Sequence, residues 1–452
     1  MRCAEFRGIP AGFHFSGATV SVGHMLLRVL ALTVAVQLLG CGSSSSPGDA
    51  GLDAAVPDAA VSDAGAPDAG GGDAGLPDAG ELDAGSADAG PRVDCTGACA
   101  VLVIAGDPPA ALPDGGASPA RGYADPTMRE DPNTGRLWMA YSWPWWDEAG
   151  RVVRVDNHLA HSDDRGATWQ FDRVLWRSQP ELDPSGSGLA GFSNHETVSM
   201  TPRRVGATTV WYYARMRYFT RPVDGHRFVT FHTRVGRVAS PLVLSDAPES
   251  EEAVLGGALT PAGWDVTVRL SDFPGLDGCT FFDAGVLWAQ DRLRLGVQCL
   301  RFTPTGEEDV ARELVALFST DAAGAPRSWQ WRFDGVLTTA ADAAFFGHST
   351  LLQTELAFSR DGAVLALLSP SEPGATLATH DGCRAVEVAA LDQAALRRDA
   401  AGNPLVRGTV VDDLGTGACT YEPAATTGVV MMRRYQAPGV LRGGLLATGL
   451  HP

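Results

Sequence analysis

From about residue 100 onward, apolar and polar residues alternate in short stretches separated by clusters of Gly, Pro, Asp and Asn. A period of two predicts half-buried β-strands, and no stretch of this region keeps the 3.6-residue period of a helix. We therefore expect an all-β fold. The strand candidates are residues 136–143, 208–218, 227–233, 292–300, 313–319, 363–369 and 428–434.

A continuous apolar run, residues 25–41, precedes this region and ends in the letters LLGC. The run is too short to span a bilayer and has the length of the apolar part of a secretion signal. Its end resembles the lipobox of bacterial lipoproteins, in which the cysteine is lipidated. We expect residues 1–41 to be a signal region with the lipid on Cys41, in an exported, outer-membrane-anchored protein that contacts the membrane only through this anchor. An ordinary secretion signal is the alternative.

The segment between this run and the strands is acidic and periodic. Asp recurs every five residues from Asp53 to Asp88, and five is neither the helical nor the strand period, so no face can be buried. We expect residues 42–94 to form a disordered linker. Residues 49–94 contain ten Asp, one Glu and one Arg, a net charge of −10 against −18 for the whole chain. The acidity belongs mostly to the linker, and nothing in the chain resembles a nucleic-acid footprint.

The chain has eight cysteines, and six of them lie in the remaining domain, residues 95–452. Six cysteines in an exported chain predict up to three disulfides, although fifteen connectivities are possible. A zinc site is disfavoured because the chain has neither paired CxxC motifs nor clustered histidines, and we expect no metal and no cofactor. Proximity along the chain favours the pairs Cys95–Cys99, Cys279–Cys299 and Cys383–Cys419.

One octet between strands, SDDRGATW, contains Ser162, Asp164, Gly166, Thr168 and Trp169. In a hairpin turn the polar side chains can bond turn amides, Gly166 can adopt positive φ, and Trp169 can fill space under the next strand. Folding alone thus accounts for these residue types. The pattern also resembles the Asp-box, or bacterial neuraminidase repeat, of sialidases and related β-propellers, at every fixed position. This resemblance implies that the octet lies on the outer rim of a blade, away from the active site.

A weaker copy of the octet lies in residues 316–337, where Ser319, Asp321, Gly324 and Trp329 keep the order with three inserted residues. The two copies begin 157 positions apart, and the strands before them are offset by 156 positions. Two features with nearly the same offset indicate an internal repeat.

Five segments carry an acidic residue shortly before an alternating strand, at spacings of 71, 87, 72 and 67 residues. Such spacings suit the four-stranded blades of a propeller. We expect five blades, the last completed by residues 101–106, or six if residues 264–270 form part of another blade. The five acidic residues are Asp125, Glu196, Asp283, Glu355 and Glu422.

The innermost strands of a propeller line its channel, so residues at the entry to these strands converge. Crowded carboxylates shift each other's pKa, which lets one act as an acid while another stays ionised. The resemblance to sialidases implies glycoside hydrolysis, with a tyrosine paired to a glutamate as nucleophile. Turn-capping or solvated acids are the simpler interpretation. The catalytic candidates are Asp125, Glu196, Asp283, Glu355 and Tyr421.

The chain departs from true sialidases in the first blade, where their Arg-Ile-Pro motif is replaced by Ala124-Asp125-Pro126. Arg129 and Arg217 are candidate substitutes for the missing substrate-binding arginine, because a bidentate grip on a carboxylate requires arginine. The same first-blade stretch, YADPTM, also resembles five-bladed glycosidases of furanosides and xylosides, which implies that Asp125 is a base.

Two tryptophans after the first predicted strand, Trp145 and Trp146, are candidates for stacking on a sugar ring. The sequence therefore predicts a glycan or glycoconjugate as partner. We expect a glycan-directed propeller that acts as an exo-acting glycoside hydrolase, with a non-catalytic glycan- or protein-binding surface propeller as the alternative.

Overall fold

The structure is a computed structural model, which describes residues 90–107, 120–146, 153–221, 227–301, 309–372, 379–412, 416–437 and 440–452. Cys41 and the predicted signal region lie outside the described residues. In these ranges the protein is all-β, as predicted, and α1 (Ala340–Phe345) is the one α-helix. No helix within the same ranges is long and apolar enough to cross a membrane.

The first fourteen strands lie between residues 92 and 269. They are β1 (Arg92–Asp94), β2 (Ala100–Leu102), β3 (Ile104–Ala105), β4 (Ala120–Gly122), β5 (Ala124–Glu130), β6 (Leu137–Trp146), β7 (Val153–Ser162), β8 (Trp169–Trp176), β9 (Gln179–Leu182), β10 (Ala190–Val205), β11 (Thr208–Arg221), β12 (Arg227–Val238), β13 (Ala253–Gly256) and β14 (Val268–Arg269).

The remaining thirteen strands follow in the second half of the chain. They are β15 (Thr280–Ala289), β16 (Arg292–Leu300), β17 (Leu314–Thr320), β18 (Arg332–Thr339), β19 (Thr350–Phe358), β20 (Val364–Glu372), β21 (Thr379–His380), β22 (Cys383–Ala390), β23 (Ala395–Leu396), β24 (Val406–Val411), β25 (Thr416–Thr420), β26 (Val430–Ala437) and β27 (Val440–Ala447). The seven predicted strands are confirmed as β6, β11, β12, β16, β17, β20 and β26, whereas residues 264–270 contribute only the two-residue β14.

Hydrogen bonds join the described strands into four sheets. The ten-stranded sheet has the order β25-β26-β27-β4-β6-β7-β8-β3, with β2 on β27 and β5 on β6. The others have the orders β14-β13-β12-β11-β10-β9, β15-β16-β17-β18 and β1-β24-β22-β20-β19, the last with β21 on β20 and β23 on β22. Four sheets do not confirm the predicted count of five or six blades.

The sheets surround a central ring of strands, as the blades of a propeller do. β5 packs against β10, β10 against β15, β15 against β19, β19 against β25 and β25 against β5, so the ring is closed. Clusters of buried apolar side chains fill the space between neighbouring sheets, and Trp211 and Trp329 are among their largest members. Burial of this apolar surface stabilises the arrangement.

The N-terminal segment of the described chain adds strands to two of the four sheets. β1 pairs with β24, β2 with β27 and β3 with β8. Of the predicted residues 101–106, the β2 part joins the last group of strands through β27, whereas β3 pairs with β8. The disulfides Cys95–Cys99, Cys279–Cys299 and Cys383–Cys419 pair as proximity predicted.

The octet forms the turn between β7 and β8. Ser162 Oγ accepts from the amide of Gly166 at 2.7 Å and donates to Asp164 at 2.7 Å. Thr168 donates to Asp164 through its amide at 2.8 Å and its hydroxyl at 2.6 Å. Gly166 has φ of 91°, and its carbonyl accepts from the indole of Trp169 at 3.1 Å. Each residue of the motif therefore has a role in the turn.

The weaker copy forms the corresponding turn between β17 and β18. The indole of Trp329 donates to the carbonyl of Gly324 at 3.2 Å, which matches the bond from Trp169 to Gly166. This shared bond supports the internal repeat.

We expect Asp164→Asn to remove an acid-sensitive part of the stability. Hydrogen bonds from Thr168 and Ser162 hold the pKa of Asp164 at about 2, below its ordinary value of 3.8. The stabilisation that these hydrogen bonds give the folded protein is complete at pH values above the ordinary pKa of 3.8. It is lost as the pH falls through about 2, the pKa of Asp164 in the folded protein. The Tm of the unchanged protein should therefore fall more steeply than that of the variant from about pH 4 to about pH 2, measured by circular dichroism. The exposed control Asp392→Asn should follow the unchanged protein; parallel curves for Asp164→Asn would contradict the prediction.

Candidate functional site

Every strand of the central ring has a shift in its hydrogen-bond register. The shifts lie between Ala124 and Thr127, Glu196 and Ser199, Phe282 and Gly285, Leu352 and Glu355, and Gly417 and Cys419. Bulges of this kind re-aim side chains and are frequent beside active sites.

Three polar residues in these bulges have a strained backbone. Asp125, Thr197 and Asp283 have φ of 46°, 48° and 42°. The left-handed region is unfavourable for non-glycine residues, and most of all for a β-branched residue such as Thr197. Strain of this type persists where surrounding structure enforces it, and it is enriched at functional sites. The strain therefore marks these three bulges as a candidate site.

Asp125 and Asp283 line one small cavity, together with Thr197 and Glu355. Its volume of about 20 Å³ holds one water molecule. Thr197 Oγ1 donates to Asp283 Oδ1 at 3.0 Å, and the amide of Thr197 donates to Ser142 Oγ at 2.9 Å. Thr197 is thus held by its backbone and in turn orients the carboxylate of Asp283.

Glu196 precedes Thr197 on β10 and is hydrogen bonded to Tyr218 of β11. Burial, followed by the charge of Glu196, raises the pKa of Tyr218 well above its ordinary value, so the phenol stays protonated and donates to Glu196. The charge of Asp125 acts in the same direction. Tyr218 is 4% exposed and stacks on Phe231 with 5.9 Å between ring centroids. We call Asp125, Glu196, Thr197, Tyr218 and Asp283 the acidic site.

Glu355, a predicted catalytic residue, connects three strands of the ring. Its carboxylate accepts from Thr127 of β5 at 2.9 Å and from Ser199 of β10 at 2.8 Å, and it pairs with Arg129 of β5 at 2.5 Å. Gly285 of β15 leaves room for it, because a Cβ at that position would lie 2.9 Å from the Cα of Glu355. Glu355 therefore links β19 by hydrogen bonds to β5 and β10, which do not adjoin it in the ring.

Arg129, a predicted substrate-binding residue, is the buried partner of Glu355. It is 4% exposed and donates to the carbonyls of Met128 at 2.7 Å and Leu356 at 2.5 Å. Burial raises the pKa of Glu355, and the charge of Arg129 opposes this rise. Arg129 and Glu355, both predicted site residues, thus form one buried ion pair inside the ring.

Arg217, the second predicted substrate-binding arginine, belongs to a network of ion pairs on β11. It donates to Glu181 at 3.1 Å and to Glu249 at 2.9 Å. Neighbouring Arg215 is fully buried and pairs with Glu252 at 2.8 Å and with Glu249 at 3.0 Å. These carboxylates neutralise both arginines.

Trp145, at the end of β6, stacks on the guanidinium of Arg154 at 4.2 Å. The ring of Phe192 lies 4.6 Å from the same guanidinium. Arg154 also donates to the carbonyl of Ser178 at 2.5 Å. Trp145 is therefore part of a Trp-Arg-Phe stack, and the side chain of Trp146 lies outside the described residues.

Tyr421, the remaining catalytic candidate, directly follows β25. It is completely buried, with its ring centroid 6.0 Å from that of His451. Burial raises the pKa of Tyr421, and Arg360 opposes the rise. The part of β25 that lines the cavity is Ala418 and Cys419, so the structure does not bring Tyr421 to the acidic site.

Sequence reasoning missed Tyr218 and Thr197. In the β10–β11 hairpin, Tyr218 pairs with Asn194 and Met216 pairs with Glu196. Counting residues outward from the hairpin turn would have placed Arg217 opposite Glu196, and only the bulge between Glu196 and Ser199 brings Tyr218 diagonally across from Glu196. Thr197 also has no signal in the sequence, because residue type does not predict a threonine with positive φ.

The acidic site places three carboxylates on three consecutive strands of the ring, β5, β10 and β15. Two of them, Asp125 and Asp283, line the space for one water. Such groups can bind a water molecule and move protons. Across the described part of the chain, no group of three or more His, Cys, Asp or Glu side chains could hold a metal ion.

No protein-family model matches this chain, and the search of curated proteins finds no match. Solved structures do resemble it. A family 117 glycoside hydrolase of the marine bacterium Zobellia galactanivorans has a TM-score of 0.42 at 12% identity, covering 73% of this chain and 84% of that one. A Trypanosoma rangeli sialidase has a TM-score of 0.37 at 10% identity, covering 76% and 57%. The Bacillus subtilis arabinanase has a TM-score of 0.36 at 10% identity, covering 73% and 96%. These likenesses concern the fold and assign no activity to this chain.

Proposed function

We propose that this protein is an exported lipoprotein whose propeller acts on glycans as an exo-acting glycoside hydrolase. The observation that carries the proposal is the shared cavity of Asp125 and Asp283, which approach it from β5 and β15 on strained backbone. Glycoside hydrolysis needs two carboxyl groups, one as acid and one as base or nucleophile. We assign these two roles to Asp125 and Asp283.

The size of the cavity favours activation of water. Space of about 20 Å³ accommodates a water molecule but no sugar ring, so the sugar would lie at the mouth of the cavity. In an inverting hydrolase one carboxylate activates a water while the other carboxyl protonates the leaving group. We propose this arrangement for the acidic site.

Tyr218 and Glu196 form a Tyr–Glu pair of the kind that supplies the nucleophile in sialidases. Burial and two neighbouring carboxylates raise the pKa of Tyr218, which opposes formation of the phenolate. We therefore propose that Tyr218 positions Glu196, and that Glu196 contacts the substrate.

The proposal includes a propeller of five blades, in which the ten-stranded sheet represents two blades built on β5 and β25. Support comes from a buried cluster between its two halves, which contains Met128, Met139 and Leu445. Separate sheets of this protein have similar clusters between them. The octet 162–169 is then an Asp-box on the first blade.

The same proposal divides the chain into a signal region, 1–41, a linker, 42–94, and the propeller, 95–452. Support comes from the LLGC sequence and the five-residue Asp repeat. Mass spectrometry of the mature N-terminus tests lipidation at Cys41. A mature chain that does not begin at Cys41 would refute the proposed lipid anchor. It would leave the proposed hydrolase activity untouched.

Hydrolysis of a panel of fluorogenic glycosides by the full chain tests the activity. The panel contains sialosides, arabinosides, xylosides and hexosides, and the configuration of the released sugar is read by NMR. Turnover with inversion is the expected result. Retention of configuration would indicate that an enzyme nucleophile, and not the water, attacks the sugar. No turnover on any substrate would favour the non-catalytic glycan-binding alternative.

We expect Thr197→Val to lower kcat/KM by about tenfold or more, since a hydrogen bond to a charged group is worth about 1.5–3 kcal/mol. The variant keeps the shape of the side chain and loses the bond to Asp283. Thr197→Ser retains the hydroxyl and serves as the matched control, with activity near that of the unchanged protein. Equal activities of the two variants would show that this bond has no part in the reaction.

A further inference from the structure

A second cavity lies between the segment around β14 and the turn that precedes β18. Its volume is about 440 Å³, against about 20 Å³ for the cavity at Asp125. Ligand pockets have volumes of roughly 300–1,000 Å³, so this cavity is large enough for a small ligand. We call it the rim cavity, and its lining includes Asp265, Asp272, Phe273, Arg327, Gln330 and Trp331.

The walls of the rim cavity are held in place before any ligand binds. Trp329 is 2% exposed and bonds the carbonyl of Gly324 at 3.2 Å. Trp331 packs against Trp329 in an edge-to-face contact with 6.2 Å between ring centroids. An ion pair between Arg327 and Asp265 joins the two walls. Such preorganisation lowers the entropic cost of binding.

The lining combines an aromatic ring with dispersed polar groups. Trp331 and Arg327 are half-buried, whereas Asp265, Asp272 and Gln330 are exposed. The two carboxylates and one guanidinium leave a net charge of only −1, so the cavity selects neither strong anions nor strong cations. Sugars offer an apolar C–H face to an aromatic ring and hydroxyls to carboxylate and amide groups.

We propose that the rim cavity binds a neutral oligosaccharide, with Trp331 as the ring on which a sugar stacks. Asp272 and Gln330 bind its hydroxyls. One wall of the site belongs to the weaker copy of the octet and its continuation, which contribute Arg327, Trp329 and Trp331 to the lining. Binding here is independent of the chemistry at the acidic site.

Affinity electrophoresis tests the proposal. The full chain, purified in detergent, is run through native gels that contain arabinan, xylan or mannan, with polygalacturonate as the anionic comparison. At least one neutral polysaccharide should retard the protein. Trp331→Ala should weaken this binding by at least about tenfold, and Trp331→Phe should retain part of it.

Further variants separate loss of binding from loss of folding. Gln330→Ala and Asp272→Ala replace exposed side chains and should each weaken binding by about threefold or more. Phe345→Ala removes an aromatic residue that is 44% exposed outside the cavity, and it should bind normally. The proposal is overturned if no neutral polysaccharide retards the protein, if these lining variants bind like the unchanged protein, or if polygalacturonate binds more tightly. None of these outcomes changes the result expected from the glycoside panel.

Discussion

Replacement of Asp283 by asparagine is expected to lower kcat/KM for glycoside hydrolysis by about 10²–10⁴. Asparagine has nearly the same shape as aspartate, and its carbonyl oxygen can still accept from Thr197, so the geometry of the site is retained. The amide cannot take up or release a proton at neutral pH. Asp125→Asn is expected to cause a loss of the same order, because both residues line the cavity proposed to hold the water.

Kinetics on the fluorogenic substrate with the highest turnover provide the measurement. Asp125→Asn/Asp283→Asn should lose little more than the weaker single variant, because residues that act as a unit are not additive. Asp392 is exposed in a short 3-10 helix, Leu391–Gln393, and Asp392→Asn is the matched control. Full activity in either single variant, with an unchanged Tm, would remove that residue from the proposed pair.

Replacement of Arg129 by methionine is expected to lower the free energy of unfolding by about 3–5 kcal/mol. Arg129 and Glu355 have side chains only 4% and 9% exposed, at 2.5 Å from each other. Without the guanidinium, the carboxylate of Glu355 remains in the ring with Thr127 and Ser199 as its remaining side-chain partners. An uncompensated buried charge is much more costly than the absence of the whole pair.

A double replacement distinguishes this explanation from simple loss of packing. Arg129→Leu/Glu355→Leu should be clearly more stable than Arg129→Met, because it removes both charges from the interior. Arg136 pairs with Asp163 on the surface, with side chains 34% and 64% exposed, so Arg136→Met should change the stability little. Denaturant unfolding gives the free energies, and a double variant as unstable as the single one would refute the argument.

The destabilisation by Arg129→Met should also depend on pH. Burial raises the pKa of Glu355, and removal of Arg129 removes the charge that opposes this rise. A carboxyl whose pKa is higher in the folded state favours folding at low pH and loses this contribution as the pH increases through the folded value. The loss of stability should therefore be larger at pH 8 than at pH 5; equal losses at both values would contradict burial as the cause.

Much of the fold could be predicted from the sequence. The alternating strands, the turn at Ser162–Trp169 and the disulfides between neighbouring cysteines all depend on residues close together along the chain. The number of blades was harder to predict from the sequence. β4 pairs with both β27 and β6 and so joins two groups of strands into one sheet, and residues 264–270 contribute only a short strand. These details depend on hydrogen bonds between distant segments.

The sequence by itself determined the class of fold and the approximate level of the channel at which acidic residues would lie. Only the tertiary structure decided what each of them does, because their partners are far away along the chain. Glu355 and Asp283 line the same cavity, yet Glu355 pairs with Arg129 across 226 positions, whereas Asp283 accepts from Thr197 across 86. Register between distant strands sets these contacts, and a slip of one residue would turn each side chain to the other face of its sheet. The partners of these carboxylates therefore depend on contacts that no local pattern encodes.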